Sequence, residues 1–238
     1  MTKLSVNINK LATLRNSRGG NVPNLIQATR DIESFGAQGI TIHPRPDERH
    51  IRYQDARDLK DVVNTEFNIE GNPVQKFIDL VIEVKPTQVT LVPDAEDAIT
   101  SNAGWDIVKN AVFLKEVIKT FKSEGIRTSI FVDPDTKMVE AAANTGADRI
   151  ELYTESYAHH YAQGHKNKIA IFTEAAKIAH KVGLGINAGH DLSLENIKFF
   201  KENIPNLLEV SIGHALICES LYLGLENVIP MYLHRLEK

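Results

Sequence analysis

The sequence predicts an eight-stranded βα barrel, and three observations carry the prediction. Strand-like and helix-like segments alternate from one end of the 238 residues to the other. A helix–glycine–strand junction recurs, as Gly36-Ala-Gln-Gly-Ile40, Gly125-Ile-Arg-Thr-Ser-Ile130, Gly146-Ala-Asp-Arg-Ile150 and Gly183-Leu-Gly-Ile186. Glycine ends a helix in the left-handed conformation, and so short a loop leads only to a neighbouring strand. Eight such units fit a chain of this length folded as one α/β domain over residues 1–238, a (βα)8 barrel. No Gly-x-Gly-x-x-Gly follows the first strand, which counts against an open doubly wound sheet.

Each element has its own signal. Leu4–Asn9 alternates as a first strand; Pro23 is placed to open a helix whose apolar stripe is Leu25, Ile26, Ile32 and Phe35. Gly39–His43 is the second strand, Gln54–Val63 an amphipathic helix and Glu66–Glu70 the third strand. Asn72-Pro73 starts a helix that runs to Val84, and Val89–Val92 is the fourth strand. A polar loop from Pro93 to Gly104 precedes a long helix with Ile107, Val108, Ala111, Leu114, Ile118 and Phe121 at helical spacing. Arg127–Asp133 is the fifth strand, Asp135 caps a helix to Asn144, and Arg149–Tyr153 is the sixth strand. A helix over about 167–181, a strand Leu184–Asn187, a helix over about 193–201 and a strand Leu207–Ile212 follow. Two helical pieces meet near Gly224, with Pro230 opening a turn or kink in the second.

Composition excludes several classes. With 42% hydrophobic residues the chain can bury a sizeable core, and a net charge of −4 gives no global attraction to nucleic acid or to an anionic membrane. One cysteine, Cys218, allows no internal disulfide and fits a reducing cytoplasm. The first residues lack the apolar core of a signal peptide, and stretches such as Phe77 to Val84 are broken by Asp79 and Glu83. A cytoplasmic location is the expectation.

The strands are unusual for a parallel sheet. Strands buried on both faces normally read as unbroken apolar runs. Here Leu4, Val6 and Ile8 alternate with Ser5, Asn7 and Asn9, and Leu208, Val210 and Ile212 alternate with Glu209, Ser211 and Gly213. The apolar parity must face the helices, so the polar parity points into the barrel. A buried polar group left unpaired costs roughly 2–7 kcal/mol. The interior groups therefore form an internal hydrogen-bond network or serve a ligand.

Function in such a barrel sits at the C-terminal strand ends. Those ends carry Asn7, His43, Glu70, Glu151 and the stretch Asn187–His190. His43 ends its strand on the polar side and leads into Pro44, Arg45, Pro46, Arg49 and His50, an imidazole followed by cationic donors that suits acid–base chemistry on an anion. Gly189-His190 and Gly213-His214 each place a glycine before a predicted helix, whose backbone N–H groups would bind phosphate. Arg15 and Arg18 beside Gly19-Gly20, and Arg45 with His50, offer a second anion site, or else solvated loops. His159, His160 and His165 read as surface residues, without a third metal ligand at useful spacing.

Six stretches carry a family resemblance: Val6-Asn-Ile-Asn-Lys-Leu-Ala-Thr-Leu-Arg-Asn-Ser-Arg-Gly19, Gly39-Ile-Thr-Ile-His43 with Arg49-His50-Ile51, Asn68-Ile-Glu70, Leu91-Val-Pro93, Asn187-Ala-Gly-His190 and Ile212-Gly-His-Ala215. In order and spacing they resemble the pyridoxine 5′-phosphate synthases. The resemblance implies a transferase that condenses 1-deoxy-D-xylulose 5-phosphate with 3-amino-2-oxopropyl phosphate by acid–base catalysis, giving pyridoxine 5′-phosphate, phosphate and water. It implies a (βα)8 barrel, a homo-octamer, small phosphorylated substrates, and no metal or organic cofactor. By residue it implies His43 and Glu70 as bases, His190 as acid, and Asn7, Arg18, Gly213 and His214 on the aminoketone phosphate. Arg45, His50 and Thr100 would hold the ketose phosphate.

Two departures stand out. Asn9-Lys10 replaces the usual Asp-His, and Asp191 stands where glycine often follows the histidine. Asp191 is expected to contact substrate, and Glu151, Asn9 and Lys10 to support the site. Lys10 would serve as a charged contact or face solvent, or supply an amine to a ketone. The alternatives to this synthase are another phosphosugar-handling barrel enzyme and a catalytically silent barrel that binds a phosphorylated metabolite.

Overall fold

Period-two alternation along the chain becomes the two faces of a closed parallel sheet. The computed structural model describes residues 1–94 and 101–237. Its strands are β1 (Lys3–Asn7), β2 (Gly39–Ile42), β3 (Glu66–Gly71), β4 (Gln88–Leu91), β5 (Arg127–Val132), β6 (Arg149–Tyr153), β7 (Gly185–Gly189) and β8 (Leu207–Ile212). Each pairs in parallel with the next, and β8 returns to β1 through Ser5 opposite Ser211. The helices α1 (Asn9–Asn16), α2 (Leu25–Ser34), α3 (Tyr53–Lys60), α4 (Gln75–Val84), α5 (Ile107–Ser123), α6 (Thr136–Ala143), α7 (Glu155–Ala162), α8 (Ile169–Lys181), α9 (Ile197–Asn203), α10 (His214–Leu223) and α11 (Leu225–Leu236) fill the connections and the C-terminus. Among the described residues no helix is long and apolar enough to cross a membrane.

The apolar parity packs under the helices. Leu4, Val6, Ile40, Ile42, Ile150, Leu152 and Val210 are fully buried and join Ile32, Leu80, Phe121 and Phe172 from helix faces in one core. The polar parity is equally buried, and its hydrogen bonds cross the lumen. Ser5 Oγ meets Thr41 Oγ1 at 2.7 Å, Thr90 Oγ1 donates to Asn68 Oδ1 at 3.1 Å, and Asn187 Nδ2 to Gln88 Oε1 at 3.4 Å. At the N-terminal end Lys3, Arg127 and Arg149 face Glu66 and Glu209, with Glu66 paired to both Lys3 and Arg127. These charged side chains floor the barrel, so the opposite end is left for a ligand.

Two helices escaped the periodicity. The first strand stops at Asn7, and α1 follows where a longer strand and a loop are expected. No side chain caps α1 and its first turn has no acidic residue; it is held by burial of Leu11, Ala12 and Arg15. In α7 the anchor is Tyr157, whose hydroxyl donates to Asn196 O at 2.7 Å and whose ring lies 4.9 Å from Phe200. Tertiary contacts, not local sequence, make both. The cap of α2 is Asn24, whose side chain accepts from Gln27 N at 2.9 Å, so Pro23 precedes the helix without opening it. Pro230 lies inside α11, which continues through it.

Candidate active site

The polar strand ends converge. A cavity of about 440 Å³ opens at the C-terminal mouth, and His43, Glu70, Glu151 and His190 line it with Asn7, Gly213 and His214. Arg45, His50, Asn9, Lys10 and Asp191 share the same wall.

His43 follows β2 directly and Asn9 holds it there: Asn9 Oδ1 accepts the His43 backbone N–H at 3.0 Å, and Asn7 Oδ1 accepts that of Asn9 at 3.0 Å. The side chain of Asn9 is thus committed to placing the imidazole. His43 Nδ1 lies 3.9 Å from Glu70 Oε2. Burial first, then Arg45, His50 and His190, hold the imidazole well below its usual pKa. Burial also drives Glu70 well above the carboxylate range, reinforced by Glu151, Asp94 and Glu209. Both shifts favour the uncharged forms, a neutral imidazole and a protonated carboxyl, over a salt bridge. Two neutral groups able to exchange a proton are what acid–base catalysis needs.

Glu151 stands behind Glu70. Its pKa is pushed up to about 8 by burial and then by Glu209, opposed by a contact to Thr90. A Cβ at Gly189 would collide with Glu151 Oε1, so only glycine at that position lets the carboxyl pack against β7. The unfolded chain loses this proton near 4.5 and the folded chain near 8. Between those values the native state binds more protons, so stability falls as pH rises. Glu151→Gln is expected to melt above the native chain by at least about 2–4 °C at pH 8, roughly 1 kcal/mol, with the gap vanishing near pH 4.5. Thermal melts across that range check it, and a gap that does not depend on pH refutes it.

His190 sits beyond β7 with φ at +74°, a left-handed backbone that is strained for a non-glycine residue. Thr154 Oγ1 contacts Gly189 O at 2.7 Å and His190 O at 3.0 Å, fixing the bend. The ring stands edge-on to Tyr153 at 5.1 Å and tilts against Phe131 at 5.7 Å. Its Nδ1 is 3.7 Å from Asp191 Oδ2, and this imidazole is the main reason the Asp191 carboxyl titrates low.

Two features can hold anions. Gly213 precedes α10, so the first backbone N–H groups of that helix lie at the cavity wall, where the helix dipole favours negative charge. A Cβ at Gly213 would come within 3.2 Å of Asn7 Cβ, which keeps this turn tight against β1. The other feature is Arg45, buried beside Asp94, together with Lys10 and His50. His50 is not the cation the sequence suggests: burial, then Arg45 and Lys10, lower its pKa to about 4. Its Nδ1 accepts the Ile51 N–H at 2.9 Å, so an uncharged ring remains with Nε2–H as donor.

Several residues singled out by the sequence lie away from the cavity wall. Arg15 is buried on α1 in a bidentate pair with Asp55 at 2.6 and 2.8 Å, and also donates to His50 O; it braces the β2 loop and is not open to an anion. Arg18 lies exposed past the end of α1 and is not in the cavity wall. Gly189 does not precede a helix directly, because α9 begins only at Ile197. Thr100 lies outside the described residues. His159 and His160 are on α7, and among the described residues no group of three or more His, Cys, Asp or Glu is placed to hold a metal.

Asp94, Tyr153, Phe131 and Ser211 were missed as site residues. The inward parity already pointed to Tyr153, Phe131 and Ser211, since each lies two residues from another inward position of its strand. Asp94 follows a proline in a loop, and only the closed fold reveals it.

Residues 4–238 match the family described as Pyridoxal phosphate biosynthesis protein PdxJ. Pyridoxine 5′-phosphate synthases of Christiangramia forsetii and Flavobacterium johnsoniae are each 70% identical over 237 residues, covering 100% of both chains. That of Cytophaga hutchinsonii is 64% identical over 238 residues, again covering 100% of both. Among solved structures, phosphoribosylanthranilate isomerase from Thermotoga maritima superimposes with a TM-score of 0.63 at 13% identity over 99% of this chain and 98% of that one. Tryptophan synthase from M. tuberculosis gives 0.65 at 10% identity over 99% and 94%. The structural neighbours share the barrel and nothing finer, whereas the full-length sequence match is specific: the chain belongs to the PdxJ family, the pyridoxine 5′-phosphate synthases.

Proposed function

We propose that the chain condenses 1-deoxy-D-xylulose 5-phosphate with 3-amino-2-oxopropyl phosphate and closes the ring of pyridoxine 5′-phosphate, releasing phosphate and water. The supporting observation is a cavity whose wall holds a neutral imidazole, a protonated carboxyl and a second imidazole beside two separate anion-binding features. Joining an amine to a ketone expels water, and closing the ring removes protons from carbon; each step needs a base and an acid titrating near neutrality.

In this reading His43 takes a proton, Glu70 exchanges one with it, and His190 protonates the departing oxygen. Asn7, Gly213 and His214 hold the aminoketone phosphate, while Arg45 and the Nε2–H of His50 hold the ketose phosphate, with Lys10 as a further cation. Glu151 keeps the proton of Glu70 in place. The family resemblance supports one domain, a cytoplasmic homo-octamer and a transferase without metal or organic cofactor.

Incubation of the pure protein with both substrates tests the reading. Pyridoxine 5′-phosphate should appear by absorbance and mass; binding of either substrate without product would instead favour a silent barrel.

A further inference from the structure

We propose that Asp94 is a positioning residue: it fixes His43 in the tautomer protonated at Nε2, leaves Nδ1 as the basic nitrogen facing Glu70, and aims Arg45 into the cavity. The inference deepens the reading above, since it assumes that His43 is the base.

Among the described residues, one carboxylate oxygen of Asp94 makes the side-chain contacts. Oδ2 accepts from Arg45 Nη2 at 2.8 Å and from Ser101 Oγ at 2.7 Å, and lies 3.7 Å from His43 Nε2. The Asp94 side chain is 5% exposed, and the Asp94 carbonyl accepts from Asn72 Nδ2 at 2.7 Å, so side chain and backbone are both held. His43 is thus placed between two carboxyl groups, Asp94 at Nε2 and Glu70 at Nδ1, 3.9 Å away. The two differ in kind. Asp94 is ion-paired to Arg45, and an ionised carboxylate only accepts. The imidazole nitrogen beside it must carry the hydrogen, because a lone pair there would be repelled. Burial favours the protonated form of Glu70, whose O–H can donate to a lone pair at Nδ1; with the hydrogen already at Nε2, that lone pair is the free base. Both contacts are longer than hydrogen bonds, as expected of an acid–base site that tightens when substrate enters.

Arg45 is bound to the same oxygen. A guanidinium has five N–H donors in a rigid plane, and among the described residues one hydrogen bond, to Asp94, uses them. Asp94 therefore sets the plane of Arg45 while leaving donors for an anion. Substrate held at Arg45 and the base at His43 are aligned by one atom.

Nitrogen-15 NMR of the imidazoles, with His43 assigned through His43→Gln, reads the tautomer directly and without substrate. The native protein should show His43 protonated at Nε2. In Asp94→Asn the new amide N–H can face Nε2, so the population should shift toward Nδ1–H. The same variant should lose about 10²-fold in kcat, with a rise of a few-fold in KM for the ketose phosphate, and Asp94→Glu should recover part of both. Melting curves identify any variant that fails to fold, in which case the native tautomer and Asp94→Glu decide. A native Nδ1–H tautomer, an unmoved tautomer in Asp94→Asn, or a shifted one with full kcat overturns the proposal. Absence of turnover in the native protein would refute the synthase reading instead, leaving the tautomer result to stand by itself.

Discussion

Glu70→Gln is expected to lower kcat by roughly 10²–10⁴-fold and to stabilise the fold at the same time. The glutamine keeps the shape of the protonated acid. Its carbonyl can still accept from Asn68 Nδ2 and Ser211 Oγ, each at 3.5 Å from Glu70 Oε1, and its amide can still face His43 Nδ1. What is lost is the ability to release and regain a proton, so binding should persist and KM should change little. The stability gain has a definite sign. The folded pKa of Glu70 lies well above its unfolded value near 4.5, so the native state holds a proton the unfolded chain has released, and stability drains away as pH rises. Glutamine has no such proton, and the variant should melt above the native chain at pH 8 and alike near pH 4. Steady-state kinetics with both substrates and parallel melts test both halves. Full kcat in the variant would remove Glu70 from the chemistry, and a lower melt at pH 8 would mean that its burial is not penalised as argued.

This opposition of activity and stability reflects how much of the site could be read from the chain. Alternation along β1, β3, β6 and β8 already required a polar lumen, because the helices could cover only one parity. That argument located Asn7, His43, Glu70 and Glu151 at a common mouth, since strand position is local information. What stayed hidden depends on closure. Asp55 meets Arg15 across 40 residues and turns a supposed anion ligand into a brace. His50 looks cationic beside Arg45 and Arg49, yet burial together with those same positive neighbours keeps it neutral. Asp94 has no signature beyond a polar loop after a proline; its meaning lies in the single oxygen shared by Arg45, Ser101 and His43. Helices α1 and α7 were missed for the same reason, as each rests on a few side chains buried against distant elements. Sequence periodicity reports which face is buried, whereas charge state and availability follow from what buries it.

The floor of the barrel yields the other large effect. Arg149→Met is expected to destabilise the protein by about 3 kcal/mol at pH 8, on the scale of a buried ion pair that loses one partner. Arg149 Nη1 lies 3.5 Å from Glu209 Oε2 and donates to Asn187 Oδ1 at 3.2 Å, so one truncation strands a carboxyl and an amide oxygen together. The pH dependence separates this from simple loss of packing. Burial raises Glu209 to about 7, with Arg149 the leading influence opposing the rise. Without that cation the folded pKa climbs further while the unfolded value stays near 4.5. In the native chain stability falls with pH only up to about 7, where the folded carboxyl ionises; in the variant the fall continues beyond it. The gap between the two should therefore widen from pH 6 to pH 8. Arg149→Met combined with Glu209→Gln should recover much of the loss at pH 8, because replacing both members of a buried pair leaves no unpaired charge. Urea melts of the three proteins at both pH values provide the measurement. A gap that is constant with pH, or a double variant as weak as the single one, would show that Arg149 acts through packing and not through Glu209.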